Sequence, residues 1–261
     1  MHAFLYIALL TTGILALVRG LYVTRLTWRS DITPYHMLGP MRAMTPWHGA
    51  GRCGRGVPVA DLARAMQSLL PESVAVGWAD PRLAYPLLPG EALPRATPAR
   101  LREFAAGRAA ARGAMVLLDM VPAAIPMAAD RAPVWPQGIT GSITHTDTDC
   151  LAAVTQTKGV LGIDMERDGR VTADLWPTVL HEDEDSTQAT LIFTAKEAVY
   201  KAQYALIGVL FDFHRLHVRI DGAAFHARFC ADTGRIAKGT LWTGRYLRHA
   251  GLILTAVHAK A

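Results

Sequence analysis

Apolar residues fall into several distinct patterns along this chain. Ala3 to Val18 is a run without charge, closed by Arg19. It is short for a spanning helix and near the length of a signal-peptide core. Residues 26–57 then mix Arg, Trp, Gly, Pro and Met with neither helical nor strand period, which predicts linker or disorder. From about Met66 the pattern becomes regular. Pro98 to about Leu118 predicts a helix: it is Ala-rich, Thr97-Pro98 supplies a cap and a first-turn proline, and Leu101, Phe104, Met115 and Leu118 fit one apolar face. Asp130 to Pro136 is extended and punctuated by proline. Gly141 to Thr146 reads as a loop running into a strand, and Val160 to Met165 as a buried strand. Glu197 and Lys201, four apart in a helical stretch, share a face.

Composition narrows the picture. The chain has 261 residues, 51% of them hydrophobic, enough for one large or two small domains with a real core. Its formal charge is +5, but residues 1–65 hold seven Arg, no Lys and two Asp. That leaves 20 basic and 20 acidic residues from Met66 onward. The body therefore carries no excess charge to drive nucleic-acid binding. Cys53, Cys150 and Cys230 are odd in number and have no metal-ligand spacing, so a disulfide framework is not expected and a reducing compartment is.

Candidate chemistry lies in three short blocks. They are Gly141-Ser142-Ile143-Thr144-His145, Gly162-Ile163-Asp164-Met165-Glu166, and Phe193-Thr194-Ala195-Lys196-Glu197-Ala198-Val199-Tyr200-Lys201. A strand's period of two puts Asp164 and Glu166 on one face. Two adjacent acids repel unless a cation lies between them, which suggests a hard metal with oxygen ligands. A third carboxylate at Glu197, with Lys and His nearby, suits a metal-bound polyphosphate. Thr194-Ala195-Lys196-Glu197 also reads as a capping box, an alternative that would tie Glu197 to its own helix start. Arg100, Arg108 and Arg112 share one side of the predicted helix, as a solvated basic face or as a phosphate clamp. The acidic run His181 to Asp185 reads as a solvated loop.

These blocks resemble the 4'-phosphopantetheinyl transferase superfamily, in its long, monomeric branch, and within it the enterobactin synthetase component D type. Arg100 to Arg112, Arg131 to Pro136, Leu210-Phe211-Asp212-Phe213 and Gly251 to Ala256 extend the likeness, which runs from about Met66 to the C-terminus. The resemblance implies an α+β fold: a pseudo-twofold pair of similar halves, 66–160 and 161–261, each a long helix on a small antiparallel sheet, with the site at their seam. It implies transfer of 4'-phosphopantetheine from coenzyme A to a serine of an apo carrier protein, serving siderophore or other non-ribosomal peptide synthesis. It assigns Asp164, Glu166 and Glu197 to Mg2+. Arg100, Arg108, Thr144, His145, Lys196 and Lys201 go to the coenzyme A phosphates, with Glu197 and Lys201 catalytic. Arg131 is a further nucleotide candidate, although this chain has Asp130-Arg131-Ala132-Pro133 where relatives carry a Lys-Gly-x-Pro-like sequence.

Two other classes are weighed against this. A Mg-dependent phosphodiesterase would use the same acids but lacks a need for the Arg and Thr-His blocks. A membrane-anchored, non-catalytic binding protein would make Ala3–Val18 the point of the chain. Residues 1–65 themselves read as a stretch upstream of the true start, as an anchor, or as a secretory signal. Coenzyme A, a cytosolic donor, places the expected activity in the cytoplasm.

Overall fold

The computed structural model describes residues 59–260, so the Ala3–Val18 run and the 26–57 stretch lie outside the described residues. Twelve elements organise the rest. They are α1 (Val59–Gln67), β1 (Val74–Ala79), α2 (Pro98–Leu117), β2 (Thr140–His145), β3 (Cys150–Thr155), β4 (Gly159–Arg167), α3 (Trp176–Val179), α4 (Ala189–Ile207), β5 (Leu216–Asp221), β6 (Ala224–Phe229), β7 (Leu241–His249) and β8 (Leu252–Lys260).

The strands form two antiparallel sheets, ordered β1-β3-β2 and β4-β8-β7-β6-β5. The fold is α+β, with a long helix packed on each sheet. α2 lies on β1 and β3, and α4 on β4 and β8. In both halves the strand that precedes the helix pairs with the last strand of its half: β1 with β3, β4 with β8.

One detail repeats between the halves and explains how close each helix sits. A Cβ on Gly77 of β1 would stand 2.0 Å from the Ala110 carbonyl oxygen of α2. A Cβ on Gly162 of β4 would stand 1.9 Å from the Ala198 carbonyl oxygen of α4. Each glycine meets an alanine and the residue four further on, Ala114 or Ala202. Helix and strand touch backbone to backbone there, and no larger residue fits. The buried face of α2 is accordingly built from alanines, with Phe104 and Met115 at its flanks. Leu101, expected on that face, is instead 40% exposed.

α1 covers the opposite face. Leu62, Met66, Leu69 and Leu70 join a core with Val74, Val76 and Leu151 of the first sheet and Leu161, Ile163, Met165 and Leu254 of the second. This core spans both sheets. The helix begins at Val59, so part of the 1–65 stretch read as an extension packs into the fold. The Gln67 side chain bonds β1, donating to Val74 O at 2.8 Å and accepting from Val76 N at 3.1 Å. It satisfies backbone groups on an edge strand that has no further neighbour.

The sheets meet at two other edges, β2 and β4. No ladder joins them. Instead β2 hydroxyls accept from β4 amides: Ser142 Oγ from Ile163 N and Thr144 Oγ1 from Met165 N, both at 3.1 Å. A strand paired with β8 on one side points alternate N–H groups outward, and two β2 side chains meet them. Asp164 lies between these two anchored amides, so the seam itself fixes the residue that dominates the site.

Candidate active site

Asp164 is 4% exposed on an edge strand, beside a helix whose glycine contact leaves no slack. Its Oδ1 accepts from Thr144 Oγ1 at 3.0 Å and from Lys201 Nζ at 2.6 Å. Its Oδ2 is buried and has no hydrogen-bond partner. A buried carboxylate oxygen without a donor is costly and marks a place for one. Lys201 reaches from α4, and its amine also lies 3.4 Å from Ile163 O. Burial works against the charged amine, but Asp164 and Glu197 together hold the Lys201 ammonium above its ordinary range.

Glu166, two residues along β4, and Glu197, one turn before Lys201 on α4, share this electrostatic neighbourhood. Burial first and the Asp164 charge second push both carboxyls upward. Glu197 is 4% exposed. Arg170 lies 4.0 Å from Glu166 at the outer side. The capping-box alternative for Glu197 does not arise. α4 begins at Ala189 after a short 3-10 turn, so Thr194 lies inside the helix and donates to Thr190 O at 2.6 Å. Among the described residues, no three His, Cys, Asp or Glu side chains are gathered into a ready-made metal ligand set.

A basic group lies on the first half. Arg100 donates to Glu103 at 3.0 Å, and its Nη1 stands 3.2 Å from His145 Nε2. His145 in turn lies 3.5 Å from Glu103, and the His145 ring and the Arg100 guanidinium hold the Glu103 carboxyl down at about 2. Glu103 thus orients both expected phosphate ligands. No sequence signal singled out Glu103, whose two partners stand 45 positions apart.

Arg108 is 7% exposed, stacks over Phe104 at 3.8 Å and donates through Nε to Ile125 O at 3.0 Å. One terminal nitrogen, Nη2, is buried without a partner. Burial pulls its pKa down to about 10. A guanidinium with an unused buried donor fits an anion. Arg112, by contrast, is spent on structure: Nη1 bonds both Glu91 oxygens at 2.8 Å and Nη2 donates to Pro86 O. Arg131 is exposed at the tip of a hairpin, with φ of 73°.

Two expectations need correction. Thr144 does not offer its hydroxyl outward, because that group is buried and bonded to Asp164 and Met165 N. Lys196, expected at the coenzyme A phosphates, is instead turned away from the carboxylates and spent on structure. It is 1% exposed, and its amine donates to Glu184 Oε2 at 2.6 Å and Val179 O at 2.8 Å. Successive helical residues point about 100° apart, so Lys196 and Glu197 leave the helix on different sides. Glu184 also accepts from His181 N and Val218 N. It is therefore the buried anchor of a run read as solvated, while Glu182, Asp183 and Asp185 are exposed. No sequence signal marked Glu184 out from its acidic neighbours.

Cys150 closes the description of the site. It pairs with His145 across the β2–β3 ladder, yet its thiol is packed under α2 among Ala106, Ala110 and Ala111. Burial pushes that thiol up to about 12.

With this geometry in hand, comparisons with known proteins are informative. Residues 89–155 match the profile of the 4'-phosphopantetheinyl transferase N-terminal domain, and residues 160–247 that of the 4'-phosphopantetheinyl transferase superfamily. The chain is 34% identical over 197 residues to 4'-phosphopantetheinyl transferase Svp of Streptomyces mobaraensis, covering 67% of this chain and 79% of that one. It is 32% identical over 181 residues to 4'-phosphopantetheinyl transferase Npt of Nocardia iowensis, covering 60% and 82%. A shorter match, 38% over 117 residues, is to enterobactin synthase component D of Salmonella typhimurium, covering 40% and 48%.

Proposed function

This chain belongs to the 4'-phosphopantetheinyl transferase superfamily and is a 4'-phosphopantetheinyl transferase, and from that premise we propose how it works and what it serves. The observation that carries the reading is Asp164, buried at the seam with one oxygen shared by Thr144 and Lys201 and the other unpartnered. Asp164, Glu166 and Glu197 would hold Mg2+. The donor set suits a hard cation, since all donors are carboxylate oxygens, one is orphaned, and burial, then the Asp164 charge, drive both neighbouring carboxyls up. Bound there, the metal supplies charge neutralisation on the donor's pyrophosphate.

The residues of the chain do the rest. Arg100, Arg108 and His145 anchor the nucleotide phosphates of coenzyme A. Lys201 neutralises charge on the pyrophosphate as the bond breaks. Glu197, one turn before Lys201 on α4, takes the proton from the carrier's Ser hydroxyl as general base. The Ser oxygen forms a bond to the phosphorus next to the pantetheine arm. The bond from that phosphorus to the bridging oxygen breaks, and adenosine 3',5'-bisphosphate leaves. We read the chain as acting as a monomer, as the long branch of the family it resembles does. Among the described residues no helix is long and apolar enough to cross a membrane. We place the activity in the cytoplasm, where coenzyme A and carrier proteins meet, and on carriers of siderophore or other non-ribosomal peptide assembly. The enterobactin-type match supports that pathway.

The test is mass spectrometry of apo carriers after incubation with coenzyme A and Mg2+, paired with calorimetry of Mg2+ binding. Wild type should add the phosphopantetheine mass to a peptidyl carrier. Asp164→Ala should lose both transfer and the Mg2+-dependent heat while remaining folded by circular dichroism, with a melting temperature lowered by the Lys201 left unpaired. An Asp164→Ala enzyme with wild-type turnover at saturating Mg2+ would sink the metal assignment.

A further inference from the structure

A short hairpin, Pro126–Val134, runs between the two groups of site residues. Val134 N donates to Pro126 O at 2.8 Å, and Ala128 N to Ala132 O at 2.9 Å. Its root is held by the first half. Arg108 donates to Ile125 O, and Ile125 N donates to Glu91 Oε1 at 2.9 Å. Its exit is held there too, since Trp135 lies flat enough on β2 that a Cβ on Gly141 would stand 2.4 Å from the ring. The tip reaches the second half. Asp130 accepts from Ala132 N at 3.0 Å through Oδ1 and from Tyr204 Oη at 2.5 Å through Oδ2. Glu197, Lys201 and Tyr204 stand at i, i+4 and i+7 on α4, so one helical face carries both the carboxylate and lysine of the site and the hook for this hairpin.

The contact is built rather than incidental. Tyr200 stacks on Tyr204 with ring centroids 5.8 Å apart and meets Phe211 edge-on, so the hooking ring is braced. The hairpin turns through Arg131 at φ 73°, a left-handed conformation that a non-glycine residue holds only when its surroundings fix it. Asp130 supplies that fixing on both sides of the turn.

We propose that Tyr204 is a positioning residue for the donor. Through Asp130 it holds the Pro126–Val134 hairpin across the two halves, along the path that a ligand must follow between Arg108 and Lys201. The proposal rests on the reading that coenzyme A spans those two residues. Losing the tie frees the hairpin tip and weakens donor binding, while the groups that touch the pyrophosphate stay in place.

The experiment compares Tyr204→Phe, Asp130→Ala, their double variant and Arg108→Ala in the full chain. Coenzyme A binding is read by calorimetry, and KM and kcat with a fixed carrier. Tyr204→Phe should raise Kd and KM about five- to tenfold, the range of one charge-assisted hydrogen bond at a partly exposed site, with kcat within about twofold. Asp130→Ala, which also loses the Ala132 N bond, should lose at least as much, and the double variant should be no worse than Asp130→Ala, because the bond the two residues share is removed only once. Fully additive losses, or a fall in kcat at unchanged Kd, would overturn the positioning role. So would an unchanged Kd in Tyr204→Phe. Arg108→Ala separates the two levels: if it alone leaves Kd unchanged, the donor path is wrong and the hairpin role survives on the Tyr204 result.

Discussion

At the scale of single residues, the site is arranged by charges that hold one another in place. Glu103 shows this most directly. His145 and Arg100 keep its carboxyl at about 2, well below the ordinary 4.5. A carboxyl lowered on folding stabilises the fold above its unfolded value, and that contribution is lost as pH falls through the folded one. Glu103→Gln should therefore lower stability at neutral pH, and its deficit should shrink between about pH 4.5 and 2, measured as urea midpoints across that range. A deficit that stays constant with pH would show that packing, not charge, is the role of Glu103. The same variant should raise KM for coenzyme A, since Arg100 and His145 lose the group that orients them. That Asp164 shares a strand face with Glu166, and Glu197 a helix face with Lys201, was legible in the strand and helix periods, but the ion pair of Lys201 with Asp164 joins two elements and no period announces it. Lys196 and Thr144 were misread for a related reason. Motif adjacency says nothing of which way a side chain leaves its helix, or whether its hydroxyl is already spent on a neighbouring strand.

At the scale of elements, two glycines set the distance between helix and sheet. Gly162 sits two residues before Asp164, and its contact with Ala198 falls one residue after Glu197. A methyl group there must push α4 away from β4, and with it Glu197 and Lys201 away from Asp164. Gly162→Ala should cost about 1–3 kcal/mol or more by overpacking and should nearly abolish transfer, read by chemical denaturation and carrier modification. Gly77→Ala should cost a similar amount in the first half but spare more activity, because β1 carries none of the acids. Equal retention of activity in both would mean that the Gly162 contact does not set the site's spacing. The two-sheet, two-helix architecture was legible only through family resemblance. No internal repeat shows in the sequence, since what the halves share is a close approach of backbones, at Gly77 with Ala110 and at Gly162 with Ala198. Such a contact needs small residues but leaves the surrounding sequence free to diverge.

At the scale of the whole molecule, the question is where the transferase begins. The pattern of charge and apolar residues suggested Met66, because everything upstream was counted as one basic segment. The fold instead recruits α1 from Val59, and Leu62, 3% exposed, fills a core shared by both sheets. A chain begun at Gly56 should transfer normally. One begun at Met66 should be less stable by at least the burial of Leu62, about 1.5–3 kcal/mol, and should show it as a lower melting temperature. Equal melting temperatures would make α1 dispensable before Met66. The buried sulfur of Cys150 has a further consequence for such a molecule in a cell. The proposed donor's arm ends in a thiol, and a nearby protein thiolate would capture it as a mixed disulfide under oxidising conditions. Burial pushes the Cys150 thiol well above its ordinary range, so near neutral pH it stays protonated and unreactive. A transferase that handles a thiol-ended arm thus keeps its own core sulfur out of any exchange with it.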